Sequence, residues 1–457
     1  MQNFFITTQL DVINYCKIYL NKIKKKPFIS ANPFFYFTTW ADTVGRVKLL
    51  SIIKEFKFKY FKTILKNIFF LGKNYDLIPV HSKNFILNKY SNIIISYSTI
   101  DNFDSQGFFY DKFFNISSKE YKNFCWFLIS LDHKTPNTIR ENIIIVKKKN
   151  INSFSYIYIF KYLIKVLFSK NYPFFNLFYF WNVENNFSES VSKIFKELFK
   201  SNANIQNVIL NYEAIPFQNF LIETIKSIDN NIKTYGYLHC APWPLQTDLL
   251  YKGEKLDQLF VSGKDQKSVL TKYLGWNKKK ISVIPSLRFY KKNHKQFNGY
   301  IFVPYNLNKD NNFINKFSVF LDTLPSESLP LFKIRVHPLN KKSKVHLNFI
   351  NDLKILLKEK KKKFFKKNFN LSIFFGSATG VCIQALEEGT DIIHFPENMI
   401  FDAFSSKIWE NINVKNINEH ILKYSIKKKG RIFKLTYEKN KFNKYLIKKI
   451  GNNVISK

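Results

Sequence analysis

His337 and the hydroxyls of Ser377 and Thr379 are the side chains whose setting in this chain suits chemistry on an anion. His337 ends the short apolar run Lys333-Ile-Arg-Val-His337-Pro338, and Pro338 forbids that strand to continue because it has no backbone N–H. The two hydroxyls sit in Gly376-Ser-Ala-Thr-Gly380, which follows the apolar run Leu371–Phe375 and precedes a helical pattern from Val381 to Glu388. Gly376 and Gly380 allow a tight turn and close approach of a ligand. Ser377 and Thr379 can cap the helix, and the free N–H groups of a helix start attract anions. Arg335 lies two residues before His337 on the same strand face, and Arg288 follows the Val283-Ile-Pro-Ser286 strand end. Either guanidinium can clamp a phosphate or carboxylate, or form an ordinary salt bridge.

The elements that must position these groups are legible from Phe332 to Pro396. Strands alternate there with helices, and Asp391–Phe395 is the next strand after the GSATG helix. That alternation predicts a parallel sheet, whose ligands bind beyond the carboxyl ends of its strands. The same alternation runs through the preceding hundred residues. Asn207-Val-Ile-Leu is a predicted strand, a helical stretch begins at Glu213, and Ile232–His239 and Asp257–Ser262 are further strands. Gly263 opens the next helix, and Ile281–Pro285 closes that half. Before Asn204, Pro33–Trp40, Asn92–Ser96 and Trp126–Asp132 read as strands, while the aromatic Phe174–Trp181 fits a strand or a core helix equally.

The fold class expected is α/β: two Rossmann-like domains facing a cleft. The boundary falls in the polar Tyr290–Asn298 stretch, giving domains 1–292 and 293–457, with the last helices crossing back. Candidates for a general base all follow apolar strands of the first half: Asp42, Glu213 and His239. An acid in a first helical turn is also a common structural feature, which is the competing role for Glu213.

The Phe332–Pro396 block resembles the C-terminal, donor-binding domain of GT-B glycosyltransferases. It is most similar to bacterial surface-carbohydrate proteins that share an HP motif and a serine-rich loop with CMP-sugar-using sialyl- and Kdo-transferases. The resemblance implies that His337, Ser377 and Thr379 contact the nucleotide phosphate and departing group. Arg335, Pro338, Gly376, Ala378, Gly380 and Gln384 would complete the donor site. In many GT-B enzymes a glutamate in Glu-Ala-Leu-x-x-Gly holds the ribose, whereas this chain reads Gln384-Ala-Leu-Glu-Glu-Gly389. The amide keeps hydrogen bonding and loses charge, so ribose binding differs. In the first half, Tyr212-Glu213 and Gly236-Tyr-Leu-His239 also match segments of that family. Glu213 and Asp42 are then catalytic candidates, with His239 and Arg288 contacting substrate. The activity implied is metal-independent, inverting transfer of a sugar from a nucleotide, CMP for preference, to a glycan or lipid-linked glycan acceptor. A nucleotide-sugar epimerase or a polyol-phosphate transferase would keep the fold and change the chemistry.

Composition sets outer limits. The 457 residues suffice for two cored domains. Five arginines stand among 72 basic residues, and the net charge is +39. A lysine-, asparagine- and phenylalanine-rich chain of this kind also follows from AT-rich coding, so the charge by itself is a poor guide to partners. It allows a basic nucleic-acid-binding protein, but the charges are spread along the chain, and no specific nucleic acid is expected. An anionic membrane surface is a second possible partner, with the Lys358–Lys367 run as a contact. No run of about 18 apolar residues exists, and no signal peptide starts the chain, so a cytoplasmic protein, peripheral at the inner membrane face, is expected. The four cysteines lack CxxC spacing and read as reduced thiols. No cofactor is expected beyond the nucleotide-sugar donor, and no metal, since the Asp101/Asp104 pair lacks calcium-loop spacing.

Overall fold

The structure is a computed structural model that describes residues 7–24, 77–149, 183–200, 204–251, 256–291, 297–304, 307, 312–324, 332–337, 340–361 and 370–450. Asp42, Pro338, the Pro33–Trp40 strand and the Phe174–Trp181 segment lie outside these residues.

The first half builds one sheet. Its strands are β1 (Leu77–His81), β2 (Asn92–Ser98), β5 (Phe124–Ser130), β6 (Ile143–Lys148), β7 (Asn207–Asn211), β8 (Lys233–Tyr237), β9 (Gln258–Val261) and β10 (Ile281–Val283). A two-stranded hairpin, β3 (Tyr110–Asp111) and β4 (Ile116–Ser117), leaves the sheet after β2. The spatial order is β1-β6-β5-β2-β7-β8-β9-β10. All neighbours are parallel except β1, which runs antiparallel to β6. The chain therefore winds outward from β2 through β5 to β6, then returns and winds the other way from β7 to β10. That is the doubly wound Rossmann order, and its direction reverses between β2 and β7.

These segments are strands because they are apolar on both faces. Every residue of β5 and β7 is buried, as a parallel strand covered by helices requires. Described helices that cover the sheet include α2 (Val183–Phe199), α3 (Pro216–Ile228) and α4 (Lys264–Lys272), while α1 (Gln9–Lys24) packs into the same core. Pro216 starts α3 at N1, where its missing N–H costs nothing.

The second half forms a six-stranded sheet. Its strands are β11 (Tyr300–Phe302), β12 (Lys333–Arg335), β13 (Leu371–Phe375), β14 (Asp391–Phe395), β15 (Ile412–Asn418) and β16 (Ile421–Ile426), in the order β12-β11-β13-β14-β16-β15. The first four are mutually parallel; β16 and β15 join antiparallel. Winding again reverses, here between β11 and β13. Helices α5 (Phe313–Thr323), α6 (Lys344–Lys361) and α7 (Gly380–Glu388) belong to this half. Phenylalanines fill the core beneath them, with Phe302 and Phe374 stacked at 4.3 Å and Phe317 edge-on to Phe375 and Phe395. The architecture is thus α/β with two Rossmann-like domains, as the alternation of strands and helices predicts.

Among the described contacts between the domains, three bear on the site. Trp409 donates its indole N–H to Pro244 O at 2.9 Å. Gly380, at the start of α7, lies against Ala241, so that a Cβ there would meet the Ala241 Cβ at 3.4 Å. Third, the chain after β16 returns to the first sheet: Lys434 N donates to Ser262 O at 2.6 Å, and Ser286 N to Lys434 O at 2.9 Å. It ends in a π turn, Phe442–Ile447, running into Lys448–Ile450. Phe442 there packs against Phe114, Tyr121 and Phe124 of the first domain. The chain beyond Ile426 makes this return, while Phe401–Ile426, which resembles a crossing segment, supplies the antiparallel edge β15–β16 and also meets the first domain through Ala403, Lys407, Trp409 and Glu410. Among the described residues, no helix is long and apolar enough to cross a membrane.

Candidate functional site

In a doubly wound sheet the loops at the reversal point diverge and leave a crevice beyond the carboxyl ends of the strands. In the first domain that point lies between β2 and β7, and Glu213 stands two residues past the end of β7. It is not in the first turn of α3, as the helical pattern suggests, because α3 begins only at Pro216. The intervening turn is strained. Ala214 has φ +58°, a left-handed conformation uncommon for a residue with a Cβ. Two buried amides hold it. Gln218 donates to Asn211 O at 2.7 Å and accepts from Glu213 N at 2.8 Å. Asn219 donates to Ala214 O at 3.1 Å and accepts from the Tyr212 hydroxyl at 2.8 Å. Strain maintained by surrounding structure is characteristic of functional sites.

The neighbouring strand β8 delivers His239 and Cys240 to the same place. His239 Nε2 lies 3.2 Å from Glu213 Oε1, and Cys240 donates its thiol to the same oxygen at 3.9 Å. His239 is 3 % exposed and rests edge-on against the Phe113 ring at 4.4 Å. Phe113 comes from the tip of the β3–β4 hairpin, which Asp111 shapes by accepting from Phe113 N at 2.7 Å and Phe114 N at 3.0 Å. Arg288, after β10, spreads its guanidinium over Phe113 and Phe289 at 5.3 and 4.9 Å. Its loop is placed by the buried Tyr237 hydroxyl, which accepts from Leu287 N at 2.8 Å. Lys441 of the returning chain donates to Ser286 O and Phe289 O at 2.6 and 2.7 Å.

Burial, reinforced by the Asp248 carboxylate, pushes Glu213 up to about 7; Arg288 and the Cys240 thiol pull the other way. Burial and then Arg288 hold His239 well below its usual value, so the imidazole is neutral at physiological pH. Cys240 is driven upward by burial first and by Glu213 second. A carboxyl group that titrates near neutrality beside a neutral imidazole is suited to accept a proton from a substrate hydroxyl. Glu213, His239 and Cys240 also present ligand atoms all within 4.8 Å of one another, a set able to hold a metal ion. Replacing Arg288 by Met is expected to move the Glu213 titration above about 7, because a favourable positive neighbour is lost. The midpoint, read from the pH dependence of thermal stability relative to a Glu213→Gln protein, checks this; an unmoved midpoint would show that Arg288 does not act on the carboxylate.

Across the domain contact lies the GSATG loop. Gly376 has φ +75°, and a Cβ there would sit 2.8 Å from the Pro304 Cβ, so the turn between β13 and α7 requires glycine. Thr379 is the N-cap of α7 but makes no side-chain cap hydrogen bond. The Ser377 hydroxyl is bonded to Asp402 Oδ1, and Ala378 N donates to Asp402 O at 3.1 Å. Both expected caps thus give way to a loop pinned by buried Asp402. Ala378 is buried, and Gln384 is half-buried one turn further along α7. Gly380 meets Ala241, one residue after Cys240, so the α7 amino terminus faces the Glu213 cluster's loop.

Of the remaining candidates, Arg335 and His337 stand at the end of the edge strand β12 and are exposed. The Arg335 guanidinium lies over the Phe297 and Phe302 rings at 5.6 and 5.8 Å. His337 O accepts from Asn340 N at 2.9 Å, and although the residue is exposed, the desolvation that its ring does experience lowers the imidazole pKa. The structure thus gathers Glu213, His239 and Arg288 into one cluster and the Gly376–Gly380 loop against it, and leaves Arg335 and His337 on a separate strand end. Sequence reasoning missed Phe113, Asp248 and the participation of Cys240. Adjacency to His239 was a signal for Cys240; nothing local marks Phe113 or Asp248.

No family model matches the chain, and no curated protein matches it. Among solved structures, it is similar to the wall teichoic acid polymerase TagF H548A variant, with 11 % identity and a TM-score of 0.31 over 73 % of this chain and 78 % of that one. A glycosyltransferase from Rickettsia africae ESF-5 gives 13 % identity and a TM-score of 0.32 over 70 % and 87 %.

Proposed function

We propose that this chain is a glycosyltransferase of surface-glycan assembly that moves a sugar from a nucleotide donor, CMP-linked for preference, to a hydroxyl of a glycan or lipid-linked glycan. The observation that supports it is the pairing of two sites across one domain contact. On one side the Glu213 carboxyl, bonded to neutral His239, stands at the reversal point of a Rossmann sheet. On the other, the amino terminus of α7 and the GSATG loop stand at the carboxyl end of β13.

In this reading Glu213 takes the acceptor hydroxyl's proton as its oxygen bonds to the anomeric carbon. The bond from that carbon to the donor phosphate breaks on the opposite face, and the electron pair leaves with the nucleotide. Free N–H groups at the start of α7 stabilise the departing phosphate, and inversion follows from the opposed faces. His239 orients Glu213, and Arg288 keeps part of its population ionised. Donor contacts are assigned to Ser377, Thr379, Arg335 and His337, with Gln384 toward the ribose. The basic surface is suited to an anionic membrane where lipid-linked acceptors reside.

The test is a thermal-shift series with CMP, CDP, UDP, GDP and ADP at one moderately high salt concentration. A native-state ligand raises apparent stability by mass action, while salt suppresses generic attraction to a chain of charge +39. A shift with CMP that is lost in His337→Ala supports the reading. A shift with UDP alone moves the reading to a UDP-sugar transferase or epimerase, and no shift with any nucleotide overturns it.

A further inference from the structure

We propose that Glu213, His239 and Cys240 form a binding site for a thiophilic divalent ion, zinc above all, and that the bound ion blocks the proton-accepting role of Glu213. The second half of this proposal rests on the glycosyltransferase reading; the first does not.

The donor set carries it. One carboxylate oxygen, one imidazole nitrogen and one sulfur is the ligand chemistry of tetrahedral zinc. Metal–ligand lengths of about 2.0–2.3 Å place tetrahedral neighbours roughly 3.3–3.6 Å apart. Here Nε2 to Oε1 is 3.2 Å and Sγ to Oε1 is 3.9 Å, with all three atoms inside 4.8 Å. The Nε2–Oε1 pair already has that spacing, Sγ must approach Oε1 by a few tenths of an ångström, and rotation about the Cys240 and His239 side chains must close the third pair from its separation within 4.8 Å. The ligands stand directly beyond the ends of two adjacent parallel strands, whose register is set by the β7–β8 ladder.

A second observation points the same way. A small cavity opens beside Glu213 and Cys240, lined also by Asp248, Gln246, Gln266 and Trp243. Gln246 and Gln266 are 4 % and 1 % exposed, and the Oε1 atom of each has no hydrogen-bond partner among the described residues. Buried acceptors without donors call for a donor. A water completing the metal's fourth position would supply two O–H groups to these oxygens.

Charge agrees as well. Glu213 and Asp248 place two carboxyl groups beside the single guanidinium of Arg288, and the ion would take the place of the Cys240 thiol proton. Because the thiolate is the ligand, binding displaces the Cys240 thiol proton. No electron transfer is involved. The lone pair that would accept the substrate proton is then committed to the metal.

The test uses full-length protein freed of metal with a chelator and titrated with cobalt(II), whose thiolate charge-transfer absorption reports sulfur ligation directly. The proposal expects that band to saturate at one equivalent, to be removed by zinc, and to be absent in Cys240→Ser. In Glu213→Gln, cobalt affinity should fall at least tenfold. The other cysteines, Cys16, Cys125 and Cys382, are 0 % exposed, so the band is assignable. No band in the wild type, or a band that survives in Cys240→Ser, overturns the site. Circular dichroism of the metal-free variants checks folding, and Glu213→Gln decides if Cys240→Ser does not fold. Saturating zinc should abolish transfer and a chelator restore it; transfer undiminished by zinc overturns the blocking role. Absence of transfer with every donor would sink the glycosyltransferase reading and leave the cobalt result standing.

Discussion

Glu213→Gln is expected to lower sugar transfer by about 10²–10⁴-fold, the range that a general base contributes, and at the same time to stabilise the folded protein at pH 8. The two effects share one cause. Burial and Asp248 raise the carboxyl from 4.5 to about 7, so the folded state keeps its proton at pH values where the unfolded state has lost it. With more protons bound in the folded state, stability falls as pH rises from about 4.5 to about 7. Ionising this one buried group costs about 3 kcal/mol across that window. The amide has nothing to ionise, so the variant should lack that part of the decline and melt higher at pH 8, with little difference at pH 4. In the wild type, transfer should rise with pH through about 7, as the base becomes available. A variant that retains full activity would remove Glu213 from the mechanism. One that melts lower at pH 8 would show a structural carboxylate, stabilising through its bonds to His239 and Cys240.

The second large effect falls on Glu387, at the end of α7. Its carboxylate accepts three backbone N–H groups of the returning chain: Gly430 N at one oxygen, and Ile432 N and Phe433 N at the other at 3.0 and 2.9 Å. Ile432 and Phe433 are wholly buried. Glu387→Ala strands those donors without water, and an orphaned buried donor costs about 1–3 kcal/mol; a total loss of about 3–5 kcal/mol is expected in urea unfolding. Glu387→Gln keeps the carbonyl oxygen for Ile432 and Phe433 and should lose well under half as much. Hydrogen exchange at these two amides should accelerate in the alanine variant alone. Equal losses in both variants would show that charge, rather than acceptor geometry, holds the segment. The same segment carries Lys441 to the carbonyls flanking Arg288, so the alanine variant should also disturb the Glu213 cluster.

Legibility differed sharply between the two domains and between residue types. β13, α7 and β14 were readable because an apolar strand, a glycine-bounded turn and a helical pattern follow one another within 25 residues. The Glu213 region was misread at one point: a helical pattern starting at Glu213 hid a strained turn that ends only at Pro216. What forces that turn is Gln218 and Asn219 reaching back to the backbone, a tertiary-like closure that no periodicity records. Ser377 and Thr379 looked like helix caps by type. Asp402, 25 residues further on, claims the serine instead, and its approach depends on how the loop after β14 folds over the sheet.

The chain's own residues determined the layers, since continuous apolar strands alternating with amphipathic helices bury both faces of a sheet only in an α/β arrangement. They also marked Glu213, His239 and Arg288 as strand-end groups. Tertiary structure alone decided that these three meet. Strand order is a global choice, set by how helices cover a twisted sheet rather than by any local preference, and it made β7 and β8 neighbours. That adjacency turns a separation of 26 residues into a contact of 3.2 Å, and burial of the contact moves a carboxyl from its ordinary range to near neutrality. Phe113, Asp248 and Lys441 enter by the same route, each from an element whose sequence says nothing of its neighbour.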